Sequence, residues 1–196
     1  MEPVQDRSYA GEDWYGESLT GRAFVRCRFA DVDLTEASTH GALFDECQFF
    51  NVRLNASQHT DSAFLRCAFR RCTLFGSQWQ GCKLTGSSFV DCDLRPLTVT
   101  GGDWSFVGLA RADLRGSVFR DVRMREADLA GANLTGATLA QADLAGASLA
   151  GANLATADLR GSDLSSLDPR TCTVAGAVID ADQAVLLALT LGFTVQ

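Results

Sequence analysis

The sequence predicts an all-β solenoid of four-sided coils closed by a short C-terminal helix. Three observations carry this. First, a large apolar residue stands at every fifth position from Trp14 to Leu164 in a register no insertion breaks; of 31 such positions 29 are large and apolar, and only Thr39 and His59 depart. Second, the position two before each centre is small, as at Cys27, Val32, Ala37, Ala42 and Cys47. Third, like residues recur every 20: Leu34, Leu54, Leu74, Leu94 and Leu114, or Phe29, Phe49, Phe69 and Phe89. A period of five fits neither a helix nor a strand. It fits short straight segments joined by corners, each pointing one large and one small side chain inward. Identical residues stack on one another in a solenoid, so the 20-residue recurrence sets four segments per coil. About eight coils follow, a stack of roughly 40 Å at the inter-strand spacing of ~4.8 Å.

The start, MEPVQDRSYAGEDW, has no apolar run and does not read as a signal peptide. The longest apolar run, Ala184 to Leu189, is far short of a membrane span. A cytoplasmic protein that meets no membrane is therefore expected. All seven cysteines (Cys27, Cys47, Cys67, Cys72, Cys82, Cys92, Cys172) fall at the small inward position, which predicts buried free thiols acting as apolar filler rather than disulfides or a zinc site. His59 occupies a core centre one coil on from Thr39, which predicts a polar pair bridging two coils inside the core. No nucleophile–base spacing, phosphate-cradling glycine loop or framed carboxylate pair is present, so the reading is a protein that is not an enzyme, with no catalytic residue, metal or cofactor.

The phrase decays after Leu164, and a different element closes the chain. Two regions are expected: 1–168, the solenoid, and 169–196, a cap. Asp180 is placed to be an N-cap, with Gln183 completing a capping box and Gly192 ending the helix. Between them Val185, Leu186, Leu187, Leu189 and Leu191, followed by Phe193, cover nearly all sides. Capping one open coil needs one apolar stripe. The surplus predicts a symmetric homodimer through this helix, built on those six residues, and a rod of roughly 80–100 Å.

The phrase A(D/N)LXX, clearest from Ala127 to Leu164, resembles the pentapeptide-repeat proteins over nearly the whole chain. The resemblance implies a right-handed quadrilateral β-helix. Within that family the loop-less register, the stretch DLRPLTV and the ending look similar to the MfpA and Qnr proteins, which pair tail to tail through this element. Pro96 removes a backbone donor and fixes φ, so it should loosen or bend the ladder at its corner; the resemblance implies the same mid-rod kink.

Charge is segregated. Residues 1–65 hold eleven acids and five bases, residues 66–125 five acids and ten bases, and residues 126–196 eight acids and two bases, within a net charge of −7. An acidic rod suggests local mimicry of DNA. The mimicry is partial: duplex DNA carries one charge per ~1.7 Å, nearly fifty over ~80 Å, far more than two copies of this chain supply. The resemblance implies the partner, DNA gyrase or another type II topoisomerase, and protection against fluoroquinolones. The acids nearest the predicted dimer centre are the candidates for pairing with a basic saddle: Glu126, Asp128, Asp143, Asp158, Asp163 and Asp168, with Asp113 and Asp121 at the edge. No direct contact with nucleic acid is expected. Two other readings stand beside this one. One is a scaffold that docks another partner through outward Phe50, Phe75 and Phe106; the other is self-immunity to a topoisomerase toxin.

Overall fold

The computed structural model describes residues 2–195; residues 1 and 196, the outer limits of the two predicted regions, lie outside it. It is a parallel β-solenoid followed by one helix, Ala181–Thr190. Each coil takes 20 residues. Phe24 pairs with Phe44 and Phe44 with Phe64 in register, and the same step runs on through single bridges as far as Asp158 with Val178.

Three sides carry ladders of short parallel strands, such as Arg28–Ala30, Gln48–Phe50 and Ala68–Arg70 on one and Ser38–His40, Gln58–Thr60 and Gln78–Gln80 on another. The fourth side, through Asp13, Asp33, Arg53, Thr73 and Asp93, is joined by single bridges alone. The central residue of a segment points inward and its neighbours point out, as in Gln48–Phe50, where only Phe49 is buried. That alternation is the period of two of a strand, cut to three residues by the corners.

The recurrence of like residues becomes columns of stacked rings. Phe29, Phe49, Phe69 and Phe89 stack face to face with centroids 4.9, 4.5 and 4.6 Å apart, and Phe44 lies 4.5 Å from Phe64. These distances are the inter-strand spacing, so sheet register and ring stacking are satisfied by one geometry. Cysteine columns fill the gaps: the Cys47 and Cys67 thiols each lie 3.4 Å from a carbonyl of the coil before, and all seven cysteines are free. Cys92 and Cys172 are half-buried rather than buried, since both sit where the ladder is interrupted.

The corners sit in the left-handed region, which favours Gly, Asn and Asp. Gly102, at φ 88°, has the closest backbone approach: a Cβ there would stand 2.1 Å from the Cys82 carbonyl oxygen. Thr39 and His59 form the predicted pair, with Thr39 Oγ1 3.0 Å from Nδ1 and Ser57 Oγ 2.9 Å from Nε2. The imidazole also packs on Trp79, centroids 3.9 Å apart. With no charge facing it, burial lowers its pKa to about 3, so it is neutral in the folded chain.

The ladder loosens near Pro96, as its missing donor requires. The Arg95–Pro96 peptide is cis, and Gly76 N–H donates to the Pro96 carbonyl at 3.0 Å. Among the described residues no bridge joins Asp93 to Asp113, although Thr73 with Asp93 and Asp113 with Asn133 are both made. A cleft of about 650 Å³ opens there, lined by Asp91, Cys92, Leu94, Arg111 and Asp113 among others.

The closing helix forms as its caps predict. Asp180 accepts from Gln183 N–H at 3.0 Å, the Gln183 side chain accepts from Asp180 N–H, and Gly192 follows the last turn at φ 89°. Gln183 does more than complete the box. Its amide is buried over the last coil and donates to the Leu159 and Ser162 carbonyls at 2.7 and 2.8 Å.

Candidate functional surface

The solenoid interior is filled by side chains, so the chemistry available to this protein lies on its outer surface. Among the described residues no three or more His, Cys, Asp or Glu side chains are placed to hold a metal ion. No helix is long and apolar enough to cross a membrane.

Coil geometry spreads the eight predicted acids over all four sides. Asp121, Glu126, Asp143 and Asp163 lie on one side or its corners; the bridge from Arg123 to Asp143 and the bond from Asp163 N–H to the Ala142 carbonyl set this register. Asp128 belongs to the next side, bridged to Gly108 and Ser148, Asp113 to the third, bridged to Asn133, and Asp158 to the fourth, between Thr138 and Val178. Asp168 sits in the segment around Pro169, where the bridging is interrupted.

Most of these carboxylates have a local task. Asp113, Asp128, Asp143, Asp158, Asp163 and Asp168 each turn one oxygen back on the backbone N–H two residues on, bracing a corner. Four also form ion pairs: Asp113 with Arg95 and Arg115 at 2.8 Å, Asp143 with Arg125 at 3.1 Å, Asp158 with Arg160 at 2.7 Å and Asp168 with Arg170 at 2.9 Å. The Arg160 guanidinium lowers the Asp158 pKa to about 2, and Arg170 likewise lowers that of Asp168. Asp163 is lowered by the bonds it accepts from Ser165. Of the eight, Asp121, Glu126, Asp128 and Asp163 form no ion pair among the described residues, and all four are exposed.

The six residues predicted for dimerisation divide. Val185, Leu189, Leu191 and Phe193 are exposed, Phe193 by 65%, while Leu186 and Leu187 pack against the chain's own core. Val174 and Val178, on the turns before the helix, are exposed beside them in sequence. Phe50, Phe75 and Phe106 are exposed as expected, but at three different places in the 20-residue register, so they form no common patch.

Sequence reasoning missed two features. The sealing bonds of Gln183 were hidden because they depend on where the helix lies across the last coil. The basic residues without partners were findable. The ion pairs place the acid 2, 20 or 21 residues before the arginine or 18 after it; Arg70 and Arg71 have no acid at any of these places, whereas Arg28 has only Glu46, which pairs with Arg66 instead.

A stack of four-sided parallel coils with a solid core defines a solenoid repeat protein. Residues 72–149 match a family model described as a pentapeptide repeat region, and the same five-residue register continues on both sides of that stretch. Over 73 residues the chain is 41% identical to the pentapeptide repeat protein MfpA of Mycobacterium tuberculosis, and over 58 residues 41% identical to MfpA of Mycolicibacterium smegmatis. The matched stretches span 37% of this chain and 37% of the first relative, 30% and 28% for the second. A structure of QnrB1, a plasmid-mediated fluoroquinolone resistance protein, superposes with a TM-score of 0.86 at 22% identity, covering 100% of both chains, which establishes the common fold.

Proposed function

We propose that this chain is a non-catalytic DNA mimic that binds DNA gyrase, a type II topoisomerase, as a homodimer and modulates or protects it. The observation that carries the proposal is the pairing of two features in the C-terminal half. Acids without internal counter-ions, Asp121, Glu126 and Asp163, share one side of the rod, and an exposed apolar end, Val185, Leu189, Leu191 and Phe193, lies beyond them in the chain. Self-association through that end would join the acidic sides of two copies into one longer anionic surface at the centre of the rod. Asp113, Asp143, Asp158 and Asp168 contribute less in this reading, since each is already neutralised by an arginine. Similarity to MfpA and the resistance role of QnrB1 support the partner. A mid-rod bend at Pro96, where the ladder is interrupted beside Asp113, would fit the rod to a curved saddle.

The scaffold reading is weaker, because the exposed phenylalanines share no patch. The test is gyrase supercoiling and drug-induced cleavage with titrated protein, with and without ciprofloxacin. Asp121→Lys, Glu126→Lys and Asp163→Lys combined should abolish the effect while the chain keeps its solenoid circular dichroism spectrum, the lost corner brace at Asp163 lowering the melting temperature only modestly. The same reversal at Asp158 alone should have little effect. Equal activity of the triple variant and the native chain refutes the mimicry.

A further inference from the structure

Among the described residues nine of the sixteen arginines pair with a carboxylate, and of the seven that do not, three stand together. Arg28, Arg70 and Arg71 are exposed and take part in no ion pair of the described residues. The register gathers them. Arg28, Gln48 and Ala68 form one outward column, Ala30, Phe50 and Arg70 the adjacent one, and Arg71 turns the corner. Between them lies a groove of about 390 Å³, lined by Arg28, Gln48, Phe49, Phe50, Ala68 and Arg70. Phe50 is 37% exposed within it, and the Arg71 guanidinium sits 5.8 Å from the Phe50 ring centroid.

The carboxylates nearest this cluster do not answer it. Asp31 accepts a hydrogen bond from Asn51 at 2.6 Å, Glu46 pairs with Arg66 at 3.4 Å, and Asp91, one coil on from Arg71, is in no ion pair. Three like charges held on a rigid sheet repel one another, and the contact of Arg71 with the Phe50 ring offsets this for one of them only. They complement a carboxylate-bearing partner, because the guanidinium fork matches carboxylate bidentately.

We propose that this groove docks a short, extended acidic segment of a partner protein, with Asp or Glu side chains on Arg28, Arg70 and Arg71 and an apolar side chain against Phe50. Arg28 and Arg70 stand two coils apart, roughly 10 Å at the strand spacing, the reach of about three residues of extended chain. The same geometry disfavours a nucleic-acid duplex. A duplex is wider than one side of the rod and would meet Asp31, Glu46 and Asp91 on the bordering corners. The surface lies apart from the acids proposed to meet gyrase and holds whether or not that reading does.

The test uses the full chain and a fluorescein-labelled peptide, Glu-Asp-Glu-Phe-Asp-Glu, read by fluorescence anisotropy at low salt. The native chain should bind, and Arg28→Gln, Arg70→Gln and Arg71→Gln combined should weaken binding at least about tenfold. A control, Gln58→Glu, Gln80→Glu and Thr98→Glu combined, makes the same change in net charge on the opposite side and should move affinity by less than about twofold. Melting curves check that both variants fold. Equal weakening by both variants overturns the proposal in favour of bulk charge. Absence of binding by the native chain overturns it outright. Tighter binding of a labelled DNA duplex, lost with the same three arginines, overturns it in favour of a nucleic-acid surface.

Discussion

Lowering the pH from 7.5 to 5 should destabilise this protein through one residue, His59. Its imidazole is fully enclosed, bonded to Thr39 and Ser57 and packed at a tilt on Trp79, with a folded pKa of about 3. In the unfolded chain the same group titrates near its ordinary ~6.5. Because the folded pKa is depressed, the unfolded state binds the extra proton below ~6.5. Stability is therefore full above that value and falls as pH drops toward the folded pKa, at ~1.4 kcal/mol per pH unit. Between pH 6.5 and 5 the loss is about 2 kcal/mol. The perturbed aspartates add nothing in this window: Asp33 and Asp158, held near 2 by Arg53 and Arg160, stay ionised in the folded chain and lose their contribution only below the ordinary carboxylate range of ~4. The assay is urea unfolding at pH 7.5 and pH 5 at fixed protein concentration. His59→Leu should lower stability at pH 7.5 by about 1–3 kcal/mol, since it strands the Thr39 hydroxyl, yet remove the pH dependence. A native chain equally stable at both pH values, or a variant that keeps the full slope, refutes the reasoning.

Gly102→Ala should destabilise by more than about 2 kcal/mol, because the new Cβ meets the Cys82 backbone at 2.1 Å, whereas Gly101→Ala at φ 64° with open space should cost only about 1 kcal/mol; paired thermal melts compare them. Gln183→Ala should cost about 1–3 kcal/mol by unpairing the Leu159 and Ser162 carbonyls, and hydrogen exchange of the last coil should quicken while the first coils are unchanged. Leu189→Glu with Phe193→Glu should convert the proposed dimer to a monomer at an unchanged circular dichroism spectrum, read by sedimentation; a native chain that sediments as a monomer at micromolar concentration refutes the dimer.

The sequence alone determined the interior. Each centre from Trp14 to Leu164 repeats at a spacing that only a four-sided coil can bury, and the exception at Thr39 and His59 already named its own partner by standing one coil apart. The caps of the helix were equally local, since Asp180, Gln183 and Gly192 act within a few residues of one another. The corner bracing by Asp128 or Asp163 is of the same kind, reaching two residues along the chain. Tertiary structure decided the surface. Arg115, Arg160 and Arg170 neutralise their acids from two residues away, but Arg95 with Asp113 and Arg125 with Asp143 pair across neighbouring coils, and the run of eight candidates resolved into four sides of a rod. Leu186 and Leu187 turned inward while Leu189 and Phe193 did not, because the tilt of the helix across the last coil, not its composition, selects the stripe that is covered. Inward positions are fixed by a repeat that every residue obeys, whereas outward ones answer to neighbours about 20 residues distant in the chain and to the angle at which one element meets another.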